Sequence, residues 1–219
     1  MIQTFQTNLE DIKTKLIALG VGLLDANELI LSALNDCDGD KFSEARSKIK
    51  NVNSKTDDID NAIIKVLALY TPEARDLRQV IAYLKITNEL SRASSSTRSF
   101  IRGFMGVCKD VDTKTITEYA VPMQTATVSA IKSTISMITC DDDDEIQDIY
   151  NDVLIEESKT DDLYEMVERN LSLQADGSSS FEKFHKMLRA LRKSGKIAAR
   201  SISIANLLVY AKIGGNFRN

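Results

Sequence analysis

Apolar residues recur every three or four positions along most of the chain, the period of a helix that buries one face. Leu9, Ile12, Leu16, Leu19, Leu23, Ala26, Ile30 and Leu34 form the first such row, ending before the turn-forming cluster Asp36-Cys37-Asp38-Gly39-Asp40. Ala45, Ile49, Val52, Thr56, Ile59, Ile63, Val66 and Tyr70 follow in alternating steps of four and three, the spacing that holds one seam against a partner helix. This regularity predicts a second helix unbroken through all eight positions. Thr71-Pro72-Glu73 reads as the start of a third. Thr can cap, Pro fits the first helical position, and Glu complements the dipole. That helix extends to Gly106, roughly 50 Å at ~1.5 Å per residue. Its seam begins apolar at Leu77, Ile81 and Leu84, then passes through Asn88, Ser91, Ser95, Arg98 and Arg102.

A second set of three follows. The fourth helix runs from Thr113 to Cys140, bent or begun at Pro122, and the fifth opens in Asp141-Asp142-Asp143-Asp144-Glu145 and ends near Leu173. Ala175-Asp176-Gly177-Ser178 is the next break, Ser179-x-x-Glu182 is a capping box, and Gly214-Gly215 closes the sixth helix. The two sets are related. Ser54-Lys55-Thr56-Asp57-Asp58 recurs as Ser158-Lys159-Thr160-Asp161-Asp162, an offset of 104 residues in a chain of 219. The expected fold is therefore all-α: two tandem, pseudo-symmetric three-helix bundles, residues 1–110 and 111–219. In the sixth helix the seam holds Arg192, Gly195, Ala199, Ile202 and Asn206. Both seams pass from bulky to small side chains, either for close helix approach or as the remnant of a polar site.

Composition agrees. Nine glycines and two prolines are too few for the turns of a sandwich, barrel or doubly wound sheet, and 43% hydrophobic residues with 27% charged exclude global disorder. A net charge of −4 does not suit a chain that wraps nucleic acid. The charge is uneven, however. Residues 181–219 carry nine Lys or Arg against one acid, Glu182. That stretch is either a solvated face or a docking face for an acidic partner, anionic lipid or phosphate, with Lys186, Arg189 and Lys193 as its candidates.

The start lacks a signal-peptide pattern, and apolar runs such as Ala18 to Leu24 fall well short of the ~20 residues of a membrane span. Cys37, Cys108 and Cys140 form neither a disulfide framework nor a zinc knuckle. A cytoplasmic location is expected. His185 is the sole histidine, and the acidic run at 141–145 lacks the alternating ligands and turn glycine of a calcium loop. No phosphate-cradling glycine motif occurs. No catalytic or cofactor-binding residue is expected, and the chain does not read as an enzyme.

One segment is specific. Leu67-Ala68-Leu69-Tyr70-Thr71-Pro72-Glu73-Ala74-Arg75-Asp76-Leu77-Arg78-Gln79-Val80, followed by Lys85 and Arg92, resembles the PhoU family of bacterial phosphate-uptake regulators. Its first repeat carries a similar Pro-x-Ala-x-Asp-Leu-Arg-x-Val core. The resemblance implies two three-helix repeats and a cytoplasmic regulator of phosphate uptake and phosphate-starvation signalling. The implied partners are the ATPase of an ABC phosphate transporter and a membrane sensor histidine kinase. Any membrane association would then come through those partners, and a homodimer is left open. Asp76 and Arg78 either serve partner contact or cap and pair structurally. Family members also carry Glu-x-x-x-Asp pairs in the third and sixth helices that ligate clustered iron or zinc. Here those places hold Ser91, Ser95, Gly195 and Ala199, so no metal is expected and the small residues should serve closer helix packing. The alternative is a repurposed helical scaffold that has kept the fold without the phosphate role.

Overall fold

In the computed structural model, which describes residues 2–174 and 178–214 and the side chains of 4–170 and 182–214, the first apolar row becomes helix α1 (Ile2–Ala33). Leu9, Ile12, Leu16, Leu19, Leu23, Ala26 and Ile30 are all buried along it. The stretch Thr4–Ala33 is long and apolar enough to cross a membrane. Contiguous apolar runs do not reveal this, because scattered polar residues break the runs without lowering the average hydropathy much. Its apolar row lies instead in the protein core.

The second predicted helix is divided. α2 (Gly39–Lys48) and α3 (Val52–Leu69) are separated at Ile49, Lys50 and Asn51. All the heptad positions from Ala45 to Val66 are nevertheless buried, so the seam survives the break. Two features accommodate the interruption. Arg98 donates from Nη1 to the Ile49 carbonyl at 3.0 Å, satisfying an acceptor that the helix no longer uses. Gly22 of α1 lies against the end of α2, where an added Cβ would come within 3.2 Å of the Lys48 carbonyl oxygen. At the offset of 104 residues, Arg98 corresponds to Ile202, which cannot donate, and α7 (Asp143–Gln174) is unbroken.

α4 (Ala74–Met105) begins after Pro72 rather than on it, with Glu73 at the cap position and no side-chain cap bond. The chain then passes through a single turn, α5 (Thr113–Thr115), and a π-helical turn (Ile116–Ala120) into α6 (Val121–Thr139). Asp112 caps this entry: its two carboxylate oxygens accept from the Thr115 N–H and hydroxyl at 2.9 and 2.7 Å. Those bonds hold its pKa below the ordinary value. The wide turn precedes Pro122, whose missing N–H and bulky ring would otherwise disrupt a regular α-helical ladder.

Asp142 accepts from the Glu145 N–H at 2.9 Å, so the acidic run serves the start of α7. α8 (Ser178–Lys212) is last, and Gly214 beyond it takes φ +94°, the left-handed geometry that glycine adopts at helix ends. The predicted break at 175–177 and Gly215 lie outside the described residues, as does the Ser179 side chain.

α1 packs against α2, α3, α4 and α6; α6 and α7 pack on each other and on α8; and α4 packs along α8. Every regular element among the described residues is a helix. Equivalent core positions are filled in both halves: Phe42, Ile49, Thr56 and Ile63 in one, and Ile146, Val153, Thr160 and Val167 in the other. Thr56 and Thr160 even donate alike, each to a carbonyl three residues earlier at 2.7 Å.

The α4 seam differs from the sequence pattern. Leu77, Ile81 and Leu84 are 38%, 37% and 39% exposed, while Val80, Tyr83, Thr87, Leu90, Ser94, Thr97, Ile101 and Phe104 are buried. α4 must satisfy α1 and α3 on one side and α8 on another, so its buried face is broad and centred one residue away from the apparent stripe.

Candidate functional site

α4 and α8 run antiparallel, a register marked by Glu89 with Arg200 (3.0 Å) and by Gly103 beside Ala190. Where the last turns of α4 meet the first half of α8, the helices leave a groove of about 570 Å³. Its lining is Ser99, Arg102, Gly103, Gly106 and Val107 from α4 and the turn beyond it, with Lys186, Arg189, Ala190 and Lys193 from α8. Four cations and no acid stand among these lining residues. Lys186 pairs with Glu182 on its own helix at 2.5 Å. That pairing lowers the Glu182 pKa. The three basic residues singled out in sequence thus share one concave site, joined by Arg102 from the opposite helix. The sequence pattern places Arg102 on a seam and assigns it no part in an anion site, because only the antiparallel register brings it across.

Asp76 and Arg78 stand elsewhere, near the start of α4. Some 24 residues of helix, roughly 35 Å at ~1.5 Å per residue, separate Arg78 from Arg102, so the five candidates do not form one surface. Asp76 lines a second hollow of about 460 Å³ with Phe5, Tyr70, Thr71, Pro72 and Glu73. Arg78 is half-buried beside the end of α8, its guanidinium 3.7 Å from where a Cβ on Gly214 would lie. Its Nε is buried without a hydrogen-bond partner among the described residues.

The positions that carry metal ligands in the resembled family present a different chemistry here. Ser95 is exposed and Ser91 half-buried on α4. Gly195 and Ala199 line a hollow of about 290 Å³ with Met123, Glu157, Asp161, Tyr164, Arg192 and Lys196. At Gly195 and Ala199 the expected closer packing is not found. A Cβ on Gly195 would sit 3.5 Å from the Met123 methyl of α6, an ordinary contact, and these two small residues line a hollow among α6, α7 and α8. Burial, and then the neighbouring Asp161 charge, push the Glu157 pKa up. Clustered iron or zinc would need several carboxylates converging from both helices. Here α7 offers two, while α8 offers none at the two family positions and adds two cations. This donor set does not fit such a cluster. Among the described residues no three His, Cys, Asp or Glu side chains are grouped to hold a metal ion.

A buried polar network ties the halves together, and little in the sequence pattern points to it. Asn27 (α1) donates from Nδ2 to the Leu23 carbonyl at 2.8 Å and to Thr97 Oγ1 at 3.3 Å. Gln124 (α6) donates from Nε2 to Asn27 Oδ1 at 3.0 Å and accepts from Ser194 (α8) at 2.6 Å. Ser194 in turn lies 3.2 Å from the Thr127 hydroxyl. All five residues are fully buried. The arrangement is structural: every member is fully buried and has a hydrogen-bond partner within the network.

Comparison with known proteins agrees with this architecture. Residues 18–100 match the PhoU domain. The chain is 29% identical over 110 residues to the phosphate-specific transport system accessory protein PhoU homolog of Pseudomonas aeruginosa, a match taking in 49% of this chain and 45% of that one. It is 26% identical over 223 residues to the phosphate-specific transport system accessory protein PhoU of Escherichia coli, covering 98% of this chain and 88% of the relative. In fold it superposes on the crystal structure of PhoU from Pseudomonas aeruginosa with a TM-score of 0.85, at 20% identity, over 96% of this chain and 100% of that one. The Pro-x-Ala-x-Asp-Leu-Arg core at the start of α4, the domain match over residues 18–100 and the near full-length relative make the chain similar to PhoU proteins in sequence, and the superposition makes it similar in fold.

Proposed function

We propose that this protein regulates phosphate uptake and phosphate-starvation signalling from the cytoplasm, by contact with other proteins and without turnover. The observation that carries the reading is the alignment over 98% of the chain with a relative named as a phosphate-specific transport accessory protein. The chemistry of the surface supports it. Charged and apolar side chains are displayed at both ends of α4, where Arg102 lines one hollow and Asp76 another, as a contact surface requires. The partners of this reading are the ATPase of an ABC phosphate transporter and a membrane-bound sensor histidine kinase. Residues 1–110 and 111–219 are taken as two copies of one ancestral bundle, in keeping with the matching core positions above.

The replaced ligand positions, and the two cations beside Glu157 and Asp161, favour a second reading: a scaffold that retains the fold without the phosphate role. Co-purification separates the two. The tagged full-length chain, drawn from phosphate-replete and phosphate-starved cells of its own host, should bring down a transporter subunit or a sensor kinase in at least one condition. Recovery of neither in both conditions overturns the regulator reading.

A further inference from the structure

The groove between α4 and α8 contains more positive charge than the fold needs. Arg102, Lys186, Arg189 and Lys193 line it together, in a protein whose formal charge is −4. The end of α4 accounts for little of this. A helix C-terminus presents roughly half a negative charge, against four full positive ones. Lys186, Arg189 and Lys193 are also neighbours at three- and four-residue spacings, where like charges on a helix repel by a few tenths of a kcal/mol per pair. Of the four, only Lys186 has an ion-pair partner among the described residues, in the exposed Glu182. The floor, Gly103, Gly106, Ala190 and Val107, carries no bulky side chain that would shield the cations from one another or from a ligand.

We infer that this groove is a binding site for an oligophosphate, a small ligand with two or more linked phosphoryl groups. Spacing favours a chain of phosphoryls over a single one. Lys186 and Lys193 are separated by seven residues, about 10 Å along the axis of α8 at ~1.5 Å per residue. One phosphate reaches a single turn of that row, and two or three linked phosphoryls reach all of it. Arg102 closes the site from the facing helix, and the two guanidinium groups suit bidentate capture of phosphate oxygens. A volume near 570 Å³ lies within the ~300–1,000 Å³ of ordinary small-ligand sites. The site rests on the groove itself and does not depend on the regulator reading.

Calorimetric titration of the purified full-length chain with inorganic tripolyphosphate, orthophosphate and sulfate at matched ionic strength tests it. Tripolyphosphate should bind at least tenfold more tightly than either single anion, and weaken steeply between 50 and 200 mM salt. The double variant Arg189→Ala/Lys193→Ala, and separately Arg102→Ala, should each weaken it several-fold with unchanged melting. Lys65→Ala on α3, outside the groove, should change it less than twofold. Magnesium-free ATP binding as tightly as tripolyphosphate locates recognition in the phosphoryl chain, and tighter ATP binding identifies a nucleotide as the source. Tripolyphosphate no tighter than sulfate overturns the site and leaves an acidic protein segment as the occupant. An effect of Arg189→Ala/Lys193→Ala with none from Arg102→Ala also overturns it, placing the anion on the open face of α8.

Discussion

Replacing Gln124 with leucine removes the residue through which α1, α6 and α8 share hydrogen bonds. The side chains are similar in volume, so the change tests polarity more than packing. Loss of the amide strands Asn27 Oδ1, which accepts from Gln124 at 3.0 Å, and takes away the acceptor of Ser194 at 2.6 Å. Ser194 has Thr127 at 3.2 Å as a substitute partner, while Asn27 Oδ1 has none among the described contacts. One fully orphaned and one weakened buried group, at ~1–3 kcal/mol for each unsatisfied partner, give an expected loss of about 2–4 kcal/mol. That is a large part of a typical stability of ~5–15 kcal/mol. With a urea m value of ~3 kcal/mol/M, the midpoint followed by far-ultraviolet circular dichroism should fall by roughly 1 M. The cycle with Asn27→Leu is the sharper test. Removing both amides leaves fewer orphans than the two single changes together, so the double variant should be more stable than additivity predicts by ~1 kcal/mol or more. Single losses below ~0.5 kcal/mol, or strict additivity, would show that the two amides do not depend on each other for their hydrogen bonds.

Three further outcomes are expected from the same geometry. Ile63→Asp places a charge at a heptad position 1% exposed and should cost several kcal/mol, seen as loss of cooperative melting, since burying an unpaired charge costs at least this much. Arg98→Met removes the donor to the Ile49 carbonyl and should cost ~1.5–3 kcal/mol for a charge-assisted bond, with faster amide exchange confined to residues near the break between α2 and α3. Glu157→Gln should raise the melting temperature at pH 7. Its carboxyl pKa is pushed up by burial and by Asp161, so ionisation opposes folding once the pH passes the unfolded value of ~4.3. The gain should shrink toward pH 4, and a melting point that falls at pH 7 would show instead that the ionised carboxylate is stabilised there.

How much of the fold is legible in sequence depends on what each helix faces. The heptad from Ala45 to Val66 points at residues that are all buried, because α2 and α3 present one face to the bundle. α4 defeats the same reading because it has neighbours on more than one side. Its row of Leu77, Ile81 and Leu84 satisfies the heptad but remains more than a third exposed. The break at Ile49–Asn51 is hidden because the heptad steps continue across it, and its supporting bond comes from Arg98, a residue 49 positions away. Asn27 and Gln124 give little sign of burial in the sequence, because the partners that make each tolerable are 70 and 97 residues distant. Lys186, Arg189 and Lys193 are legible as charge. Their confinement to a groove, and the contribution of Arg102, depend on the register of α4 against α8.

Restraint of phosphate-starvation signalling through protein contacts can be read from a phosphate-starvation reporter in the native host, grown in phosphate-replete medium with the chromosomal copy deleted. The reporter should be switched on despite ample phosphate and silenced again when the full-length chain is restored. A reporter that stays silent in the deletion strain, and still responds normally when phosphate is withdrawn, would contradict the regulatory role.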